Sequence, residues 1–147
     1  MTPHQARVGA ALEAFAQRSG GRHQGRAGLP VVRRSTTPEG RVLAAIRQAL
    51  EGLPDLKVMR NSVGMIRTDG RVITYGLGVG SADLVCVLKP HGRWVCLEVK
   101  APTGTTPTRA QWRWLEDMRA MGASCAVVRS VDDALGAVAR ARQEMLA

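Results

Sequence analysis

Glu98 and Lys100 stand two residues apart in the run RWVCLEVK, where the apolar Val95, Leu97 and Val99 alternate with the other side chains. Alternation of this kind marks a β-strand, and it sends the acid and the amine to one side while Leu97 and Val99 go to the other. A second acid, Asp83, opens the apolar run DLVCVL, which KPHG joins to the first. The two runs are predicted to form a hairpin. With Pro90 and His91 at its tip, Asp83 falls across from Glu98, with Cβ atoms about 5 Å apart. A bulged turn at Gly92 shifts the pairing by one residue, and the spacing leaves both registers open. Two carboxylates that close in a partly dry site repel each other unless a proton or a cation is shared. Hard oxygen ligands suit Mg²⁺ or Mn²⁺, which retain waters, one of which can attack a phosphodiester. Lys100 is then placed to orient that water or to neutralise charge on the phosphate. Taken alone, an acid and a base at this spacing are more often a solvated cross-strand ion pair. The buried character of the strand, with Asp83 opening its partner, shifts the balance to chemistry.

These residues need a scaffold, and the flanking sequence supplies one. Thr37-Pro38-Glu39 precedes the helical periodicity of Val42, Leu43, Ile46 and Leu50, which predicts a helix over 38–51, stopped by Gly52 and Pro54. Residues 57–63 read as a short strand, and Asp69-Gly70 between Met65-Ile66 and Val72-Ile73 reads as a hairpin turn. GLGVGS, residues 76–81, is a flexible loop into the strand over 83–88, which pairs with the strand over 93–100. After the loop APTGTTPT, Thr108-Arg109-Ala110-Gln111 has the form of a capping box, opening a helix over 109–121 that Gly122 ends. A strand over 124–129 and a helix from Ser130 towards Met145 complete the order. The fold class is therefore α/β, with a mixed sheet flanked by helices.

At 147 residues the chain suits one domain with a short appendage. The appendage is predicted over 1–36, as a helix at 3–18 and a Gly- and Arg-rich basic linker; the main domain is predicted over 37–147. The 45% hydrophobic content provides for a core that the 3% aromatic content makes mostly aliphatic. Twenty-one Lys and Arg against twelve Asp and Glu leave a formal charge of +9, which favours a polyanionic partner through counterion release. Arg60, Arg67 and Arg71 are candidates for contacts to a nucleic-acid backbone, as are Arg33 and Arg34 if the linker is an arm and not a solvated tether. Cys86, Cys96 and Cys125 lie in apolar stretches with no zinc-type spacing and read as free thiols in a reducing cytoplasm. The opening MTPHQARVGAALEAF lacks the layout of a secretion signal, and no apolar run approaches the ~20 residues that span a bilayer. A cytoplasmic protein with no membrane partner is expected.

The stretch GSADLVCVLKPHGRWVCLEVKAPTGTTPTRAQWRWLEDMRAMGASCAVVRSVDDAL resembles the VRR-NUC (virus-type replication-repair nuclease) branch of the PD-(D/E)xK superfamily. The resemblance spans about 39–135 and includes the glycine and Asp83 of the GSAD run, LEVK at 97–100, Gln111 on the next helix, and a Gly followed by an apolar strand and SVDDAL. It implies a restriction-endonuclease-like core, Asp83 and Glu98 as metal ligands with the Val99 carbonyl as a third, Lys100 as the catalytic lysine, and Gln111 as an accessory near the scissile phosphate. It also implies Glu39 as an upstream acid, although an acid at a helix start is equally a dipole-compatible cap. Gln111 likewise has a second role open to it, closing the capping box at Thr108. Residue 82 is Ala where the superfamily pattern has Pro, a departure expected to alter the loop more than the chemistry. Trp112 and Trp114, at helical spacing with Leu115 and Met118, are assigned to the core.

The resemblance implies an Mg²⁺- or Mn²⁺-dependent deoxyribonuclease, structure-selective on branched DNA such as four-way junctions or flaps in phage or bacterial replication and repair, and working as a homodimer. Two rivals remain. A sequence-specific restriction-type endonuclease would need more chain for base readout. A non-catalytic basic DNA-binding module would be expected to have lost one of Asp83, Glu98 and Lys100. An RNA substrate is not excluded by the residues.

Overall fold

The computed structural model describes residues 36–147, all within one compact unit. The helix expected over 3–18 and the linker bearing Arg33 and Arg34 lie outside the described residues. Within them the chain runs α1 (Pro38–Glu51), β1 (Leu56–Arg60), β2 (Gly64–Thr68), β3 (Arg71–Tyr75), β4 (Leu84–Leu88), β5 (Arg93–Val99), α2 (Arg109–Ala120), β6 (Ser124–Val128) and α3 (Val131–Glu144). Strands β1, β4, β5 and β6 form one sheet in that spatial order, antiparallel except for the parallel β5–β6 pair. This is a mixed α/β fold with its mixed sheet flanked by three helices among the described residues.

Each helix begins where its sequence offers a side-chain acceptor to the free amides of the first turn. Thr37 accepts from the Gly40 amide at 3.1 Å, with Pro38 in the first turn. Thr108 accepts from Gln111, and Ser130 accepts from Asp133. On one face of the sheet, α1 and α3 cover Leu84, Cys86, Leu88, Val95, Leu97 and Val99 with Ile46, Leu50 and Val138. Small residues on α3, namely Ala134, Ala137 and Ala141, are fully or almost fully buried there. On the other face α2 packs Leu115 with Ala82, Cys96 and Ala123, and Trp114 and Met118 close its margin. Trp114 is thus a core residue as expected, but Trp112 is not: it is 41% exposed. One helical step of about 100° past Gln111 turns it off the sheet.

The hairpin that carries the acids has the register in which Leu84 faces Leu97 and Leu88 faces Arg93. Continued by one residue, it sets Asp83 opposite Glu98, as the unbulged turn requires. Gly92 sits in the turn at φ 70°. The predicted turn at Asp69-Gly70 is also present, both residues having positive φ (46° and 74°) between the paired Thr68 and Arg71. That is the conformation a two-residue hairpin loop needs to match strand twist. The β2–β3 hairpin stands as a separate two-stranded sheet, and Met65, Ile66, Val72, Ile73 and Tyr75 on it are all exposed. The strand expected over 57–63 ends at Arg60; Asn61 still donates its amide to Asp83 O, while its side chain turns to Ser81 and Ala82. No helix among the described residues is long and apolar enough to cross a membrane.

Candidate active site

Glu98 is fully buried on the α2 face of β5, at the point where the helix begins. Its Oε1 accepts from Lys100 Nζ at 2.8 Å and from Gln111 Nε2 at 2.5 Å. Its Oε2 is buried with no hydrogen-bond partner. Burial is the main reason the Glu98 carboxyl is pushed up to about 7; the ion pair with Lys100 opposes the rise, and the negative charges of Asp83 and Glu39 add to it. Asp83 is also raised, first by burial and further by Glu39, against the Val99 amide and the charges of Lys100 and Arg60. Three acids from α1, the start of β4 and the end of β5 therefore act on one small volume. An unpaired oxygen on a buried acid costs about 1–3 kcal/mol or more unless something occupies it.

Backbone geometry holds the second acid. Asp83 Oδ2 accepts from the Val99 amide at 2.9 Å, bridging the open ends of β4 and β5. In an extended strand the carbonyl of a residue leaves from the same edge as its amide, so the Val99 oxygen also projects towards the Asp83 side. The Lys100 amide points the other way, donating to Val128 O at 3.0 Å. The lysine side chain is 9% exposed.

Gln111 takes the capping role that its position offered and also touches the central acid. Its Oε1 accepts from the Thr108 amide at 2.8 Å and closes the capping box. Because that oxygen must face a backbone donor, the amide nitrogen is compelled to face Glu98. The helix cap thus sets the orientation of a side chain that touches the central acid.

Two positioning residues went unnoticed in the sequence. Asn61 donates from Nδ2 to Ser81 Oγ at 2.7 Å and to Ala82 O at 2.9 Å, accepts from the Leu77 amide at 3.2 Å, and donates its own amide to Asp83 O at 2.8 Å. One side chain therefore anchors the glycine-rich segment that delivers Asp83. That segment needs its glycines: a Cβ on Gly80 (φ 83°) would lie 2.5 Å from Ala110 O, and one on Gly76 (φ 89°) would lie 2.5 Å from Ser62 O. Arg129 does the same for the loop after Lys100, donating to Ala101 O at 2.6 Å and Thr105 O at 2.5 Å. A lone Asn after a strand and an Arg beside a helix cap carry no local pattern that marks them.

A cleft of about 380 Å³ opens beside these groups, lined among others by Arg60, Asn61, Ser81, Asp83, Thr108 and Gln111. The structure brings together Glu39, Asp83, Glu98, Val99, Lys100, Gln111 and Arg60. It does not bring Arg67 and Arg71 to the cleft, because both lie at the exposed tip of the β2–β3 hairpin.

The chain is similar to a VRR_NUC domain. The solved structure so described is 29% identical, covers 69% of this chain and 95% of its own, and superimposes with a TM-score of 0.49. No family model matches the chain, and no curated protein matches it.

The donor set fits a divalent cation. Two carboxylates raised chiefly by burial, one with a free buried oxygen, want a positive partner, and a hard cation takes oxygen ligands. Among the described residues no three His, Cys, Asp or Glu side chains gather into a metal cluster, so a cation here would take backbone oxygen or water as its further ligands. Magnesium accepts such a shell, since it is commonly held by one or two carboxylates and several waters.

Proposed function

We propose that the protein is a metal-dependent nuclease that hydrolyses phosphodiester bonds in DNA. The observation that carries this reading is Glu98: a fully buried carboxylate with one oxygen held by Lys100 and Gln111 and the other free, beside Asp83. Asp83, Glu98 and the Val99 carbonyl would hold Mg²⁺ or Mn²⁺. The bound ion supplies a water of lowered pKa and charge to offset the phosphate.

The chain's own groups do the rest. Asp83 is held against the β5 backbone, so it meets the substrate without reorganising. Lys100 keeps a positive charge at Glu98, where charge develops on a phosphoryl oxygen and where a proton can be passed to or from water. Gln111 fixes which oxygen of Glu98 is free. Arg60 lines the cleft at the edge of β1 and attracts the flanking phosphate. Glu39 raises both acids electrostatically and favours a bound cation over a bare site.

The net charge of +9 and the lack of a base-reading element among the described residues favour recognition of shape over sequence. Branched DNA, such as four-way junctions or flaps, is the substrate class proposed. A homodimer is proposed with it, since symmetric cutting of two strands takes two sites related by a twofold axis.

The test is cleavage of labelled single-strand, duplex, flap and four-way-junction DNA with Mg²⁺, Mn²⁺ or EDTA. Metal-dependent cutting that disappears in Glu98→Ala and Lys100→Ala establishes the activity and names the substrate. Tight binding without cutting under any metal would leave a DNA-binding module in its place.

A further inference from the structure

Cys96 and Cys125 are direct partners in the parallel β5–β6 ladder, and both belong to the α2 face of the sheet. Neighbouring strands lie about 4.8 Å apart. That is inside the Cα separation of about 4.4–6.8 Å that a disulfide spans. Both are free thiols. The remaining thiol, Cys86, is buried in the core of the opposite face, so the sheet itself separates it from this pair. Access to the two partners is unequal. Cys96 is wholly buried, whereas Cys125 is half-buried and lines a cavity of about 180 Å³ with Arg93, Arg119 and Arg140. Glu144, the acid in that cavity, is already paired with Arg93 at 2.7 Å. Arg119 donates to Cys125 O at 3.0 Å, which sets a guanidinium beside that residue. Thiolates, and not thiols, are the attacking species in exchange.

We propose that Cys96 and Cys125 form an oxidisable dithiol site, entered through the basic cavity at Cys125, whose oxidant is a small anionic disulfide. The Cys125 thiolate attacks one sulfur of the reagent, its S–S bond breaks, and one thiolate leaves. The Cys96 sulfur then attacks Cys125 Sγ in the mixed disulfide, gives up its proton, and expels the second thiol. Two protein thiols are oxidised to one disulfide, and the small disulfide is reduced to two thiols. The arginines favour a reagent carrying carboxylates.

The folded full-length chain is treated with oxidised glutathione, quenched with iodoacetamide, and analysed by intact mass and non-reduced peptide mapping. The expected product is lighter by two hydrogens, joins the Cys96 peptide to the Cys125 peptide, and reverts with dithiothreitol. Cys86→Ser gives the same product, and Cys96→Ser stops at one glutathione adduct on Cys125. Absence of reaction, a lasting adduct in the wild type, or a bond that includes Cys86 overturns the site. At low salt, oxidised glutathione reacts severalfold faster than the neutral disulfide of mercaptoethanol, and this advantage shrinks with added salt and in Arg119→Ala. Equal rates would overturn the anionic preference. None of these readouts involves DNA, so the result stands apart from the nuclease reading.

Discussion

The end of the β4–β5 hairpin and the β2–β3 hairpin are built from the same local device, two strands and a tight turn, yet they hold their polar groups differently. At the first, Asp83, Glu98, Lys100 and Gln111 are tied to one another or to backbone by bonds that come from three separate segments. At the second, Arg67 and Arg71 flank an exposed turn, and the apolar side chains around them are half in water. The difference teaches that charge by itself does not mark a reactive site. What marks it is charge that the fold refuses to solvate and then leaves incompletely paired. A solvated arginine can attract a phosphate from any approach, whereas a buried acid with one free oxygen accepts a partner from one direction only.

The strongest way to break this contrast is at the buried pair. Lys100→Ala should lower the rate of metal-dependent cleavage by about 10²–10³-fold, with circular dichroism showing the fold retained; cleavage within a few-fold of wild type would remove the lysine from the chemistry. The scaffold should show the same asymmetry in stability. Leu97→Ala, at a fully buried position, should cost about 2–5 kcal/mol in urea unfolding. Ile66→Ala, on the exposed hairpin, should cost about 1 kcal/mol or less.

Next come the residues that position the acids. Gln111→Ala and Asn61→Ala should each weaken Mn²⁺ binding or cleavage by about 10–100-fold. Calorimetric titration of Mn²⁺ is the discriminating readout, because a purely structural defect would lower stability without a change in metal affinity of the folded fraction.

The acids also dictate how stability responds to pH in the metal-free protein. Glu98 titrates at about 7 in the folded chain against 4.5 as its ordinary value, so over that interval the folded state binds the extra proton. Stability should therefore be highest below about pH 4.5, as far as this group is concerned, and fall as pH rises through about 7. Asp83, raised in the same sense, adds to the trend. Thermal melts in EDTA should show it, and Glu98→Gln should flatten it. A dependence of the opposite sign would mean that the carboxylates are stabilised as anions by the chain itself.

The smallest effects belong to the hairpin. Arg67→Ala and Arg71→Ala should each lower the salt slope of DNA binding by about 1, if they touch phosphate, and weaken all DNA forms alike. Stability should stay within about 0.5 kcal/mol. A selective loss on branched DNA would instead give the hairpin a recognition role and erase the contrast between the two regions.

Much of this was legible along the chain because it is governed by short-range geometry. The two-residue period of β5 put Glu98 and Lys100 on one side, Asp69-Gly70 demanded a left-handed turn, and Thr37, Thr108 and Ser130 offered caps to the free amides of three helices. The length of KPHG narrowed the register to two choices. The misjudged feature, the placing of Trp112 in the core, depends on which distant segment arrives alongside. Trp112 has the right spacing for a core position, but the helix is rotated so that Leu115 and Trp114 meet the sheet. Arg67 and Arg71 lie on a hairpin that pairs only with itself, and their distance from the cleft was likewise not legible along the chain.

By itself, then, the sequence determined the order of elements, the caps, the turn conformations and the shared side of the acid and the lysine, all consequences of backbone sterics and hydrogen bonding within a few residues. Only the tertiary structure decided that Asp83 meets the Val99 amide, that Asn61 anchors the loop before it, and that Gln111 caps its helix and holds Glu98 at once. It also decided that one oxygen of Glu98 is left without a partner. Burial and pairing are properties of the space between segments, and no local pattern encodes what a side chain will find there.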